Sequence, residues 1–100
     1  MLRVLALYGA PTDPDHFRDY YEKTHIPIAR KMPGLTGIRW SFDVKGLMGE
    51  SPYFCICELD FESAEALQAA LQSPEGQATA GDVPNYATGG VTLVHYPLPD

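Results

Sequence analysis

Tyr53-Phe54-Cys55-Ile56-Cys57-Glu58-Leu59-Asp60-Phe61, followed at once by Glu62-Ser63-Ala64-Glu65-Ala66-Leu67, decides how this chain is read. The first nine residues form an apolar run of strand length. Side chains alternate across a strand, so Tyr53, Cys55, Cys57 and Leu59 lie on one face, and Phe54 and Ile56 lie on the other. Ser63 is a helix N-cap, and Ala66, Leu67, Ala70 and Leu71 make the apolar side of the helix it starts. The unit is a strand that passes directly into a helix.

Upstream, Lys45-Gly46-Leu47-Met48-Gly49-Glu50 is a glycine-containing connection within residues 44–51. The run Leu35 to Asp43 before it alternates Ile38, Trp40 and Phe42 with Gly37, Arg39 and Ser41. It is a second strand, paired antiparallel with the first in a hairpin. Before that, Asp13 caps a helix with Pro14 at its first position and Asp15 in its first turn. Phe17, Tyr20, Tyr21, Thr24 and Ile28 follow at helical spacing, predicting a helix over 14–25. Pro27 lacks an N–H and disfavours helical dihedrals at Ile26. A kink is therefore expected there, then a short turn from Ala29 to Met32, ended by Pro33-Gly34. Residues 2–8 are a strand. Downstream, Ser73-Pro74-Glu75 repeats the cap signal, Asp82-Val83-Pro84-Asn85 closes that helix, and Val91 to Tyr96 is the last strand.

The order strand, helix, strand, strand, helix, strand is the ferredoxin-like β-α-β-β-α-β arrangement. The fold class is α+β, with a four-stranded antiparallel sheet, and residues 1–100 make one domain. Right-handed crossovers put both helices on one face. Leu5 and Leu7 oppose Val4, Ala6 and Tyr8, and Val91, Leu93 and His95 oppose Thr92, Val94 and Tyr96, so both faces read as apolar. Helices cover one of them. The other implies a twofold partner that lays its own sheet across, giving a homodimer. A covering by loop 44–51 and the C-terminal tail is the alternative.

Lys and Arg number 7 against 13 Asp and Glu, for a net charge of −6. That balance argues against nucleic acid and gives no reason to invoke an anionic membrane surface. No apolar run approaches the roughly 20 residues of a membrane span, and the opening Leu2–Tyr8 run is short for a secretory leader. Cys55 and Cys57, one residue apart on a strand, suit a reducing, cytoplasmic setting better than a disulfide framework. No further ligands at zinc spacing accompany them, so no metal is expected.

His25 stands just before Pro27, on the same helix side as Tyr21. It is a candidate acid–base group, with a structural hydrogen bond to a loop carbonyl as the alternative. His95 on the last strand is a second candidate, and His16 is a solvated helix-end residue. Arg3 shares a face with Leu5 and Leu7. It either pairs with an anion there, such as Glu58 or a substrate carboxylate or phenolate, or is solvated at the strand end. Trp40, Tyr21 and Cys57 are candidate walls of an aromatic-lined cavity. Phosphate loops, zinc-protease motifs and nucleophile elbows are absent from the sequence.

Tyr21-x-x-x-His25-x-Pro27, Met32-Pro33-Gly34-Leu35, Phe61 to Leu67, and Ser73-Pro74-Glu75-Gly76-Gln77 with Asp82-Val83-Pro84-Asn85 together resemble the EthD-domain family of the dimeric α+β barrel superfamily. The resemblance spans essentially the whole chain. It implies a homodimer whose cleft or barrel interior holds a small apolar or aromatic ligand, and the absent motifs leave cofactor-independent chemistry or plain binding. Relatives in that superfamily include isomerases, polyketide cyclases and cofactor-free monooxygenases. By the same resemblance His25 falls where some relatives place a pocket-lining Tyr or His, and His95 where a plant polyketide cyclase has a pocket Asp. That cyclase's catalytic Tyr and His correspond to Ala70 and Gly76, so its mechanism does not carry over, and no haem ligand matches. The expectation is a cofactor-independent enzyme or accessory catabolic protein with His25 and His95 catalytic, and Arg3, Tyr21, Trp40 and Cys57 binding substrate. The alternative is a binding or structural dimer without catalysis.

Overall fold

Strand β1 (Leu2–Tyr8) is paired on both sides, with β3 (Cys55–Phe61) on one flank and β4 (Val91–Pro97) on the other. Strand β2 (Gly37–Ser41) completes the sheet beyond β3, in the order β2-β3-β1-β4, and every pairing is antiparallel. This is the ferredoxin-like topology. The computed structural model describes residues 1–99. Tyr8 is opposite Cys55 and Val91, and Arg3 is opposite Asp60 and Tyr96.

The first crossover comprises α1 (Pro14–Tyr20), a single π-helical turn (Tyr21–His25) and α2 (Ile26–Ala29). The second comprises α3 (Ala64–Gln72), α4 (Pro74–Asp82) and a 3₁₀ turn at Val83–Asn85. Capping follows the sequence. Asp13 accepts from the His16 N–H, Ser63 from Ala66, and Ser73 from Gly76, so one serine ends α3 and begins α4. Gly34 has φ +80°, which suits glycine, and turns the chain away from the first helical unit.

The departure from helical dihedrals expected at Ile26, ahead of Pro27, is absent. The turn before it widens instead, and the Ile26 N–H reaches the Tyr21 carbonyl five residues back. Pro27 falls in the first turn of α2, directly behind the widened turn, and the helical unit runs on through it. The strands are also shorter than the expected 35–43 and 53–61. Phe54 still donates its N–H to the Tyr8 carbonyl at 2.7 Å. Just past the strand ends, Phe42 and Phe54 pack their rings on Phe17, with centroids 6.2 and 5.1 Å away.

Under the helices, Leu2, Ala6, Tyr8, Cys55, Cys57 and Phe61 are buried. They divide into an aromatic core around Phe17, Tyr21 and Tyr86 and an aliphatic one around Ala29, Met32 and Leu67. The open face is less oily than expected. Leu5, Leu7, Ile56 and Val94 share it with an ion network: Arg3 donates to both oxygens of Asp60 (2.8 and 3.1 Å) and reaches Glu58 (3.4 Å), which also pairs with Arg39 (3.3 Å). The alternation that puts Leu5 and Leu7 on this face puts Arg3, Glu58 and Asp60 there too. Among the described residues, no helix is long and apolar enough to cross a membrane.

Candidate functional site

The π turn sets the first piece of the site. It brings Tyr21 and His25 onto one side of the helical unit with their rings stacked, centroids 5.3 Å apart and planes 25° from parallel. Both are buried, and π turns of this kind recur at functional sites. Beyond His25 lies Asp82, at the end of α4. Nδ1 of His25 and Oδ2 of Asp82 are 2.9 Å apart. The other carboxylate oxygen, Oδ1, accepts from the Tyr20 hydroxyl at 2.6 Å and from Asn85 Nδ2 at 3.0 Å.

This network fixes the charges. Burial pushes the Asp82 carboxyl up, but hydrogen bonds from Tyr20, Asn85 and His25 together outweigh that and hold it below the ordinary carboxylate range. Burial pulls His25 down, against a smaller upward pull from Asp82. At neutral pH the pair is a carboxylate beside an uncharged imidazole. The carboxylate can only accept, so the shared proton sits on Nδ1 and the lone pair on Nε2. Nε2 has no hydrogen-bond partner among the described residues, yet no fully buried side-chain nitrogen or oxygen there lacks one. Nε2 therefore has accessible surface, and His25 lines a cavity.

The cavity lies between sheet and helices and holds about 110 Å³. Ala6, Cys57 and Leu59 are part of its floor, and Ile26, Ala29 and Leu67 part of its roof. It reaches the surface at Leu71 and Leu93, which line it and are 51% and 64% exposed. No Asp, Glu, Lys or Arg is among the described lining residues. The few polar groups there are uncharged. Burial pushes the Cys57 thiol up to about 11 and the Tyr8 hydroxyl to about 12, and it drives Tyr21 higher still. No three His, Cys, Asp or Glu side chains converge as a metal ion would need, among the described residues.

The model of the EthD domain matches residues 10–90. The chain belongs to the EthD family. One relative, an uncharacterised 11.0 kDa protein of the thcB–thcC intergenic region of Rhodococcus erythropolis, is 36% identical over 95 residues, covering 94% of this chain and 91% of that one. The crystal structure of an EthD family protein from Bacillus halodurans superposes with a TM-score of 0.91 at 34% identity, covering 99% of each chain. More distant structures share the fold alone. A dimeric ferredoxin-like protein of unknown function from Thermobifida fusca has a TM-score of 0.74 at 14% identity, over 97% and 90% of the two chains. The hydroxynitrile lyase of Passiflora edulis has 0.78 at 13%, over 99% and 94%.

In this EthD-family chain the six residues expected at a site separate. His25, Tyr21 and Cys57 line this cavity together. Trp40 stands outside it, with its Nε1 donating to Glu22 (3.1 Å) and Arg30 over its ring (5.7 Å). His95 faces the helix side but is exposed on the edge strand and does not line the cavity. Arg3 lies on the opposite face, held by Asp60 and Glu58. The partner of His25 is a carboxylate, not a loop carbonyl. Asp82, Tyr20 and Asn85 were not candidates from sequence. One signal was available for Asp82: an acid at a helix C-terminus opposes the helix dipole, so stability alone does not call for it there.

Proposed function

We propose that this EthD-family protein is a cofactor-independent acid–base enzyme for a small, uncharged, largely apolar molecule, and that His25 is its base. The observation that carries this is the His25–Asp82 pair, which leaves a neutral imidazole with a free nitrogen on a residue that lines an apolar cavity. An uncharged lining favours a neutral substrate, because a buried charge without a counter-ion is costly. The same pair favours catalysis over plain binding, since an apolar ligand needs no oriented base. Cys57 and Tyr21 form the wall beside His25. Arg3, Trp40 and His95 are left out of the site in this reading.

The working unit is a homodimer joined through the open sheet face. Leu5, Leu7 and Ile56 there are half-buried in the single chain, and Val94 and Tyr96 are exposed. Arg3 and Arg39 balance Glu58 and Asp60. On a chain of net charge −6 this face carries none, so two copies meet without the repulsion felt elsewhere. The two buried free thiols fit a reducing, cytoplasmic compartment.

The test uses nitroethane, a small neutral carbon acid, in D₂O. The protein is expected to speed exchange of its acidic C–H, followed by NMR, and His25→Ala to lower that rate by roughly 100-fold or more. Equal rates for the two proteins remove His25 from the role.

A further inference from the structure

We infer that the cavity takes an enolisable carbonyl compound, with its oxygen held by the hydroxyl of Tyr21 and its α-carbon at Nε2 of His25. This rests on the reading of His25 as the base and adds the second group and the substrate class.

Removing a proton from a neutral molecule leaves an anion in an apolar cavity. That is costly unless a donor meets the new charge, and the more so the weaker the carbon acid. The lining offers few donors. The Thr79 hydroxyl is committed to the Glu75 carbonyl at 2.8 Å, and the Tyr8 hydroxyl pairs with the Tyr86 hydroxyl at 2.7 Å, either one donating, on a ring that is not stacked on His25. A thiol such as that of Cys57 is a weak donor. Tyr21 is the donor beside the base, stacked on His25 and lining the same cavity. Its hydroxyl hydrogen-bonds Tyr8 and the Cys55 and Cys57 thiols, all uncharged at neutral pH, and an oxyanion is a stronger acceptor than any of them. Tyr21 keeps that proton, because burial makes its own ionisation far harder than in water.

Base and donor are four residues apart on one helical side, so they face one small molecule rather than two ends of a long one. The charge must therefore appear on an oxygen close to the carbon that loses its proton, which is the geometry of a carbonyl and its α-carbon. In the step, Nε2 takes the α-proton and the C–H electron pair becomes the C=C bond of an enolate. The carbonyl π pair moves onto oxygen, which accepts from Tyr21. Asp82 stays ionised and faces the imidazolium. Return of the proton or a deuteron to the carbon reverses the step, and no other reactant is needed. At about 110 Å³ the cavity is smaller than the roughly 150 Å³ that accepts benzene. The reacting end is thus a short alkyl ketone or aldehyde, and anything longer trails out past Leu71 and Leu93.

The test compares butanone with nitroethane in D₂O. Nitroethane is acidic enough to exchange without much help from a donor, whereas butanone is not. Wild type is expected to exchange both. Tyr21→Phe is expected to slow butanone by roughly 100-fold and nitroethane by less than tenfold, with the rate–pH curve unmoved. A melting curve close to wild type shows that this variant folds. If it does not fold, 3-fluorotyrosine at position 21 alone, a stronger donor of nearly the same size, is expected to raise the butanone rate. His25-dependent exchange of nitroethane without exchange of butanone overturns this inference alone. So does a butanone rate that neither substitution changes. Absence of His25-dependent exchange for nitroethane overturns the parent reading and this inference with it.

Discussion

Asp82 and His25 are 57 positions apart in sequence and 2.9 Å apart in space, and each shifts the other's protonation, Asp82 pulling His25 up and His25 pulling Asp82 down. Asp82→Asn keeps the shape of the side chain and removes its charge. His25 then loses the group that raises its proton affinity and selects its tautomer. Proton abstraction is expected to fall roughly 10- to 100-fold, less than the loss on removing the base itself. The midpoint of the rate–pH curve is expected to move to lower pH. Exchange rates of nitroethane across pH 5 to 8 check both, and a midpoint that stays in place or rises contradicts the pairing.

Tyr20 and Asn85 hold the oxygen of Asp82 that His25 does not use. Tyr20→Phe removes the shorter of the two bonds, so the carboxylate loses a stabilising donor and becomes more basic. A more basic Asp82 holds the Nδ1 proton less as a spectator and more as a partner, and His25 is expected to titrate higher. The His25 ring resonances followed by NMR against pH read this directly. The expected result is a midpoint above the wild-type value in Tyr20→Phe and below it in Asp82→Asn.

The pair also links stability to pH. His25 has a lower pKa folded than its ordinary value of 6.5, so below about pH 6.5 the unfolded chain binds a proton that the folded chain refuses. Stability is full above that value and falls as pH drops through it. Asp82 and Asp60 are likewise held low when folded, and their contributions disappear only as pH falls below the ordinary 3.8. Thermal melting between pH 8 and pH 3 is therefore expected to show two declines, one beginning near pH 6.5 and one below pH 4. His25→Asn is expected to flatten the first and keep the second.

The order of strands and helices was legible because its signals are local. Asp13, Ser63 and Ser73 cap where they stand, and alternation sorts β1 and β3 correctly onto two faces. His25 and Tyr21 were legible for the same reason, since four residues of helix keep them together. Asp82 was not, because its meeting with His25 depends on how α4 packs against the first helical unit, which no spacing encodes. Arg3 was placed on its face correctly, but its partner Asp60 is set by the β1–β3 register. Pro27 pointed to a loss of helical dihedrals at Ile26, and the chain stays helical there behind a widened turn.

Leu7 sits on the open face between Ile56 and Thr92. It is half-buried in the single chain, so a carboxylate there remains partly hydrated and the fold survives. In a dimer joined through this face the same carboxylate is shut in against its symmetry mate. Leu7→Glu is expected to sediment as one subunit at tens of micromolar, with a circular dichroism spectrum like that of wild type. Wild type is expected to sediment as two subunits. Wild-type protein that sediments as a single subunit removes the homodimer from the proposal.

Phe17 is fully buried and is the hub of the aromatic core, with Tyr8, Tyr21, Phe42, Phe54 and Tyr86 all within 6.2 Å of its ring by centroid. Phe17→Ala leaves a void among rigid rings that have no small rotamer change with which to fill it. Its cost is expected near the upper end of about 3–5 kcal/mol. Against a total of roughly 5–15 kcal/mol for a domain, that brings the protein close to unfolding. Phe17→Leu keeps most of the volume and is expected to cost about 1–2 kcal/mol. The distinction matters for the site, because Tyr21 stacks on Phe17 on one side and on His25 on the other. In Phe17→Leu, Tyr21 loses a planar support while the fold persists, so its hydroxyl is held less firmly. Urea midpoints measure the stability change. Butanone exchange is expected to drop by more than nitroethane exchange in the same variant, and equal drops show that Phe17 only stabilises the fold.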